Sequence, residues 1–198
     1  MTLDVIKYAV RTMARWESDA EGRLIKAAIS LYDKQGFQET TVAQIADAAG
    51  LTKRTFFRYF ADKREVLFSG SHELQDRWIA GISAAAAAAS PMEAVLAGLD
   101  AVADLFADRL PFAAVRSRIV AANPELQERE LIKLQNLAAA IEAALHQRGV
   151  PDNAAALAAQ AGIAVFHVGF GRWVSQRDPA AFRPLMADSL AELKSVVG

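Results

Sequence analysis

The sequence predicts an all-α protein in which a small N-terminal helical domain is followed by a larger helical domain. Apolar residues recur at helical spacing in almost every segment, and no alternating run of β-branched residues bounded by turns stands out. Prolines and glycines divide this pattern into segments of helix length. Hydrophobic residues make up 53% of the 198 positions, so the chain can build a sizeable core.

The first clear helix begins at Ala20 and shows the apolar spacing of an amphipathic helix, with Gly36 as its C-terminal cap. A second, shorter helix is expected after Thr41, which forms a capping-box pattern with Gln44. This second helix ends at Gly50, which is suited to a tight turn.

A third helix opens at Thr52, whose hydroxyl can accept a hydrogen bond from the backbone of the first turn, and runs to about Phe60. Two short helices joined by a tight turn are typical of a helix-turn-helix, whose second helix enters the major groove of DNA. Phe56 and Phe60 lie four residues apart and are expected to anchor the helix in the core. Phe57 is expected nearer the groove, where a ring can touch a thymine methyl group, and Tyr59 can reach a phosphate.

Positive charge is concentrated around this third helix. Residues 51–64 contain five basic residues and one acidic residue, for a net charge of +4, whereas the whole chain has a net charge of −1. A cationic patch on a nearly neutral chain indicates an anionic partner that is contacted at one place. For an arbitrary patch, a solvated helix face would be the ordinary explanation.

The same segment resembles a known protein family. Residues 23–68 are similar to the DNA-binding domain of the TetR family of transcriptional regulators over about 46 consecutive positions. The matching motifs are Gly36-Phe37, Thr40-Thr41-Val42, Ile45-Ala46, Ala49-Gly50-Leu51, Thr55-Phe56-Phe57 and Tyr59-Phe60. The family often has a tyrosine where this chain has Phe57, which removes a possible phosphate contact and leaves van der Waals readout.

The resemblance implies a sequence-specific DNA-binding regulator, namely a homodimeric repressor that binds a palindromic operator in double-stranded DNA and is released by a small-molecule effector. It also implies a helix-turn-helix DNA-binding domain at residues 18–66 and a helical regulatory and dimerisation domain at residues 67–198. The positions that match the family's DNA contacts are Thr41, Thr52, Lys53, Arg54, Phe57, Arg58, Tyr59 and Lys63.

The resemblance gives a specific role to two of these positions, and charge indicates one contact beyond them. Thr41 resembles a phosphate contact, and Lys63, at the start of the next helix, resembles a clamp on a backbone phosphate. Arg11 or Arg15 could reach the minor groove from an N-terminal arm, with a disordered leader as the ordinary alternative.

Helices are also expected throughout the regulatory half, for which the resemblance supplies only the architecture. A helix that starts at Asp62 should join the two domains. The later helices are predicted at residues 71–88, 91–108, 111–121, 124–148, 152–175 and 179–196.

Small residues at spacings of three and four in residues 152–175 allow another helix to approach closely. Together with apolar positions of residues 179–196, they predict a four-helix dimer interface, for which intramolecular core is the alternative. The candidate interface residues are Ala158, Gly162, Val165, Gly169, Phe182 and Leu190.

Aromatic and polar residues of the second half could line a pocket for a small apolar or amphipathic effector. The candidates are Trp78, Phe106, Arg109, Phe112, Arg116, Phe166, His167 and Phe170, with Trp173 as a further ring. Aromatic residues at helical spacing are more often plain core, and a histidine in an apolar run is usually a hydrogen-bonded core residue.

The composition favours a cytoplasmic chain. The absence of cysteine excludes disulfides, thiolate metal sites and thiol-based sensing, and it fits a reducing compartment. Residues 153–171 lack Asp, Glu, Lys and Arg, but their apolar residues are mostly alanine and glycine, which favours a buried helix over a membrane span.

The sequence contains no zinc-protease H-E-x-x-H motif, no phosphate-loop glycines and no histidines at metal-ligand spacing. We therefore expect no catalytic residue, no metal and no cofactor, and we do not expect an enzyme. A ligand-independent regulator, an activator, and a helical enzyme or lipid-binding bundle with an appended DNA-binding domain stay open as alternatives.

Overall fold

The computed structural model describes residues 20–197, and within this range the chain forms nine α-helices and two short 3-10 turns. The 3-10 turns are Glu65–Phe68 and Pro179–Ala181. The α-helices are α1 (Ala20–Gln35), α2 (Val42–Ala48), α3 (Lys53–Tyr59), α4 (Ser71–Ala84), α5 (Pro91–Phe106), α6 (Leu110–Ala121), α7 (Pro124–Gln147), α8 (Asp152–Gln176) and α9 (Phe182–Val197). The predicted all-α class is confirmed. The predictions for Arg11 and Arg15 lie outside the described residues.

The helix that was expected to start at Asp62 is not continuous. The Asp62 carboxylate accepts hydrogen bonds from the backbone N–H groups of Arg64, at 2.7 Å, and Glu65, at 3.3 Å, and so caps a 3-10 turn. Helix α4 then begins separately, at Ser71. Gly70 lies in this break. Glycine in a helix interior costs about 1 kcal/mol relative to alanine, which disfavours a continuous helix at this position.

Helix α4 also ends four residues earlier than expected, at Ala84. The Arg148 guanidinium donates hydrogen bonds to the carbonyl groups of Ile82, Ala85 and Ala86, at 2.6 to 3.1 Å. These carbonyls therefore find a partner without a further helical turn. Ser90 then caps α5 and forms a capping box with Glu93.

The described chain forms two compact units. The first unit contains residues 20–70 and 111–130, so α6 and the start of α7 pack with the N-terminal helices. Leu24, Ile45 and Phe56 are fully buried in its core, and Leu126 of α7 belongs to the same cluster. The functional boundary predicted at residues 66 and 67 stays a prediction.

The second unit contains residues 71–110 and 131–197. Its helices α4 and α5 approach each other closely at Gly81 and Gly98, where a Cβ atom would have no room. A Cβ added at Gly98 would lie 2.2 Å from Cδ1 of Trp78. Trp78 is fully buried, and its indole Nε1 donates a hydrogen bond to the Val95 carbonyl at 2.9 Å.

The small-residue stripe of α8 lies inside this second unit, so the prediction that it faces a symmetry mate is wrong. A Cβ added at Gly162 would lie 2.4 Å from Cγ1 of Val95, and one added at Gly169 would lie 2.7 Å from Sδ of Met186. Ala158 and Val165 are buried with them. The small residues therefore allow α5 and α9 of the same chain to pack closely on α8.

The other two residues of the predicted interface differ in burial. Phe182 is buried and stacks on Phe106 with a centroid distance of 4.6 Å. Leu190 is half-buried.

Helix α8 is long and apolar enough to cross a membrane by length and composition. Core helices of water-soluble proteins meet the same criterion, so this property alone is weak evidence. Only 39% of the most apolar 18-residue stretch of α8 is buried within the structure, so part of this apolar helix is uncovered.

The close approach at Gly162 generates a stability prediction. We expect Gly162→Ala to lower the free energy of unfolding by about 1–3 kcal/mol, because the new methyl group overlaps Val95. Gly171→Ala is the matched control, since a Cβ at Gly171 meets nothing within 4 Å. Urea denaturation followed by circular dichroism measures both. Equal stability of the two variants would contradict the packing described for α8.

Candidate nucleic-acid interface

Helix α3 is seven residues long and is fixed at both ends. At its N-terminus the Thr52 hydroxyl accepts a hydrogen bond from the backbone N–H of Thr55 at 3.2 Å. Towards its C-terminus Phe56 is 0% exposed, and Phe60 is also buried, so both rings dock into the core of the first unit. The predicted anchoring role of these two phenylalanines is confirmed.

The opposite face of α3 is exposed and carries unusual aromatic surface. Phe57 is 56% exposed and Tyr59 is 39% exposed, although both rings could contribute to a core. The helical period explains their exposure. Phe56 occupies the side of α3 that faces the core, and Phe57 and Tyr59 project to either side of it. An exposed ring on a positively charged helix is available to contact a thymine methyl group or a phosphate.

The basic residues of α3 differ in how they are held. Within residues 20–197, the side chains of Lys53 and Arg54 are exposed and make no hydrogen bond or ion pair. Arg58 donates a hydrogen bond to the Tyr59 hydroxyl at 3.0 Å and stacks over that ring at 4.8 Å. Lys53 and Arg54 therefore keep all their donors for an external anion, whereas Arg58 is partly engaged.

Thr41 has an exposed side chain at the start of α2, and it is part of a complete capping box. Its hydroxyl accepts a hydrogen bond from the backbone N–H of Gln44 at 3.2 Å, while the Gln44 side chain accepts from the Thr41 N–H at 2.8 Å. The predicted cap is confirmed, and the predicted phosphate contact stays a prediction.

The side chain of Lys63 is enclosed by backbone carbonyl groups. Its ammonium donates hydrogen bonds to the carbonyls of Phe37, Gln38 and Thr40, at 2.8, 3.0 and 2.9 Å. A lysine ammonium has three N–H donors, so all three are used. The ammonium also lies 4.4 Å from the centre of the Phe37 ring. Lys63 thus holds the turn between α1 and α2, and its predicted phosphate contact would require one of these bonds to break.

The backbone of Lys63 is held as well. The Tyr32 hydroxyl donates a hydrogen bond to the Lys63 carbonyl at 2.6 Å, which joins α1 to the segment that follows α3. Burial raises the pKa of Tyr32, and the nearby Asp62 charge raises it further, so the hydroxyl stays protonated as a donor. The sequence did not predict this connection, because every residue has a backbone carbonyl and the residue type does not show which carbonyl accepts a hydrogen bond.

Asp62 remains ionised in this network. Burial alone would raise the pKa of its carboxyl group, but hydrogen bonds from the Arg64 side chain and from the backbone of Arg64 and Glu65 outweigh it and lower the pKa. The Arg64 guanidinium lies 2.5 Å from the carboxylate. Because Arg64 is paired with Asp62, its guanidinium is less available than the side chains of Lys53 and Arg54 to bind an external anion.

The predicted effector-pocket residues are divided between the two units. Phe112 and Arg116 belong to the first unit, where Arg116 donates to the Leu67 carbonyl at 2.7 Å and pairs with Glu130 at 2.8 Å. The other candidates belong to the second unit. There Arg109 pairs with Glu73 at 3.0 Å, and His167 is exposed instead of lying in a core.

Four of the predicted rings do come together in the second unit. Trp78 contacts Phe166, which contacts Phe106 and Phe170, with centroid distances of 5.5 to 6.1 Å. Trp173 extends the same cluster. Phe182, which was assigned to a dimer interface, completes it.

Comparison with known proteins identifies the N-terminal segment. Residues 24–69 match the family model described as bacterial regulatory proteins, tetR family. The regulator TcmR from Streptomyces glaucescens, of the helix-turn-helix type, is 36% identical over 80 residues. That alignment covers 40% of this chain and 35% of TcmR, so the chain spans about a third of the length of that relative.

Solved structures are similar over almost the whole chain. A protein from Syntrophomonas wolfei assigned to the TetR family has a TM-score of 0.63 at 17% identity, with 90% of this chain and 95% of that one covered. The regulator FadR from Bacillus subtilis, solved with stearoyl-CoA, has a TM-score of 0.57 at 20% identity, with coverages of 85% and 96%. At these identities the similarity shows a shared fold.

The geometry of Lys63 generates a prediction about DNA binding. Lys63→Met should lower the free energy of unfolding by about 1–3 kcal/mol, because three charge-assisted hydrogen bonds are lost. The variant should bind DNA more weakly at every salt concentration. The slope of log K against log salt should stay unchanged, since no phosphate contact is removed.

Lys53→Met is the matched control, because it removes the same ammonium from a side chain that has no partner in the described structure. It should leave stability unchanged and lower the slope by about 0.9, as expected for one lost phosphate contact. The reverse pattern in the two variants would restore Lys63 as the phosphate clamp.

Proposed function

We propose that this chain, which belongs to the TetR family of bacterial regulatory proteins, is a homodimeric transcriptional repressor that binds operator DNA through α3. The observation that carries the proposal is the division of α3 into two faces. Phe56 fixes one face in the core, and the other presents unpaired cations and two exposed rings. A folded chain gains no internal stability from exposing such rings, so an external contact accounts for them best.

The contacts can be assigned by chemistry. Lys53 and Arg54 are the donors to phosphates or guanine edges, since neither is engaged within residues 20–197. Phe57 reads a thymine methyl group by van der Waals contact. The phosphate contacts at the edge of the site are Thr41, Thr52, Arg58 and Tyr59. Lys63 supports the interface by holding the turn that precedes α2.

Dimerisation follows from the size of the reading element and from the surface of α8. A seven-residue helix reads few base pairs, and paired half-sites increase specificity. The exposed face of α8 carries Leu157, Ala164 and Val168 at spacings of seven and four residues, with no charge among them. Leu157 is 72% exposed and Val168 is 50% exposed. We place the dimer interface on this face instead of on the buried stripe.

Release by a small effector and a cytoplasmic location complete the proposal. The FadR structure with stearoyl-CoA supports the effector, because it shows that a protein of this fold holds a small molecule. The aromatic cluster of the second unit is the place where this chain could hold one. A DNA-binding regulator of the proposed kind needs no enzymatic activity.

The first prediction from this proposal concerns Arg54. Selection from random duplexes first identifies the preferred DNA, and binding is then measured for Arg54→Ala. The affinity should fall by about 1–3 kcal/mol with relaxed preference at one base pair, because a bidentate guanine contact is lost. Lys194→Ala, an exposed charge removal in α9, is the control and should bind normally. Normal binding by both variants would remove Arg54 from the interface.

The second prediction concerns assembly. Ala164→Glu places a charge in the middle of the exposed apolar face of α8 and should convert the dimer to a monomer. Ala143→Glu, at an exposed position of α7, is the matched control and should leave the dimer intact. Light scattering after size exclusion reports the mass of each. A dimeric Ala164→Glu variant would place the interface elsewhere.

A further inference from the structure

The two fully buried tryptophans of the second unit differ in one respect. Both Trp78 and Trp173 are 0% exposed. Trp78 donates its indole N–H to the Val95 carbonyl, whereas Nε1 of Trp173 has no hydrogen-bond partner in the described structure. Oγ of Ser189, on α9, is likewise buried without a partner. Folded proteins rarely leave buried polar atoms unpaired, so each such group calls for a reason.

Trp173 sits in the densest group of aromatic rings in this unit. Phe106 is at the centre of the group and has its ring centroid within 4.6 to 6.1 Å of four other rings. We name the group the Phe106 cluster, and its members are Trp78, Phe106, Phe166, Phe170, Trp173 and Phe182. Phe106 and Phe170 are only half-buried, so the cluster reaches the surface.

Packing differs between the two ends of the Phe106 cluster. Around Trp78 the helices touch through glycines, and Gly98 has no room for a single methyl group. One turn before Trp173, a Cβ at Gly169 would first meet Sδ and Cε of Met186, the flexible end of an adaptable side chain, and then the Leu185 carbonyl at 3.3 Å. A guest at the Trp173 end would have to displace Met186 and the half-buried rings, whereas a guest at the Trp78 end would have to displace helix backbone.

The arginines that lie near the cluster's rings in the sequence are paired with carboxylates, which disfavours a strongly anionic guest. Arg109 pairs with Glu73, and Arg172 pairs with Glu192 at 3.0 Å. Arg183 pairs with both Asp100 and Asp104. A phosphate or carboxylate would have to break one of these pairs to be neutralised, and the rings themselves offer no charge.

We propose that the Trp173 end of the Phe106 cluster binds a neutral, flat aromatic compound that carries an oxygen acceptor for the indole N–H of Trp173. The pair of Phe106 and Phe182 stacks with an interplanar angle of 16°, which is an arrangement that flat aromatic partners favour. The inference rests on the proposed effector-released function, because it assigns a chemical class to that effector.

The test uses a matched pair of probes, 9-fluorenone and fluorene, which share a planar three-ring frame and differ in the carbonyl oxygen. Isothermal titration without DNA should show fluorenone binding to the full chain about tenfold more tightly than fluorene. Trp173→Phe keeps a ring and removes the donor, so it should bind both probes with equal affinity. Trp78→Phe removes the N–H group that is already paired within the chain and should keep the preference.

A second readout does not depend on the variants folding. In a ¹⁵N-labelled wild-type chain, the indole N–H resonance of Trp173 should move downfield with fluorenone and much less with fluorene. Absence of binding, equal affinity for the two probes in the wild type, or an unchanged preference in a folded Trp173→Phe variant would overturn the proposal. Binding of stearoyl-CoA in place of both probes would assign the site to a different class of ligand.

This experiment contains no DNA, so its failure leaves the proposed DNA-binding function untouched. A separate arm measures binding to the selected duplex with and without fluorenone. If the DNA-binding function were wrong, no duplex would be selected, and the titration with the two probes would still decide the ligand site.

Discussion

The docking of α3 on the first unit is the constraint on which the proposed function of this molecule depends. An isolated helix of seven residues is unstable in water, because the cost of nucleation is not recovered over two turns. The burial of Phe56 and Phe60 supplies the missing stability. The buried side chains of Phe56 and Phe60 therefore determine where the exposed residues of α3 lie.

The network around Lys63 extends this constraint to the turn before α2. Its ammonium binds three carbonyl groups of that turn, and its own carbonyl accepts from Tyr32 of α1. One residue thus connects three segments of the first unit through main-chain atoms. In the proposed DNA-binding role the two helices of the motif meet the DNA together, so a lysine that fixes the turn would support binding without touching a base.

Much of this could be predicted from the sequence, for physical reasons that can be named. The caps at Thr41 and Thr52 and the division of α3 into two faces follow from local spacing, which the chain itself encodes. The stripe at Gly162 was recognised as a site of close packing, but its partner was misassigned, because a pattern of small residues does not say which helix approaches. The roles of Lys63 and Trp173 depend on which acceptors the fold brings near them, and no local pattern encodes that.

If the exposed face of α3 contacts DNA bases, photochemical cross-linking will identify the residues that make the contact. Duplexes selected from a random pool and rebuilt with 5-iodouracil are irradiated in the complex, and the cross-linked residues are mapped by mass spectrometry. We expect an inverted repeat with half-sites about one helical turn apart, and cross-links at Phe57 or Tyr59. Selected DNA without symmetry, or cross-links confined to residues outside α2 and α3, would contradict this expectation.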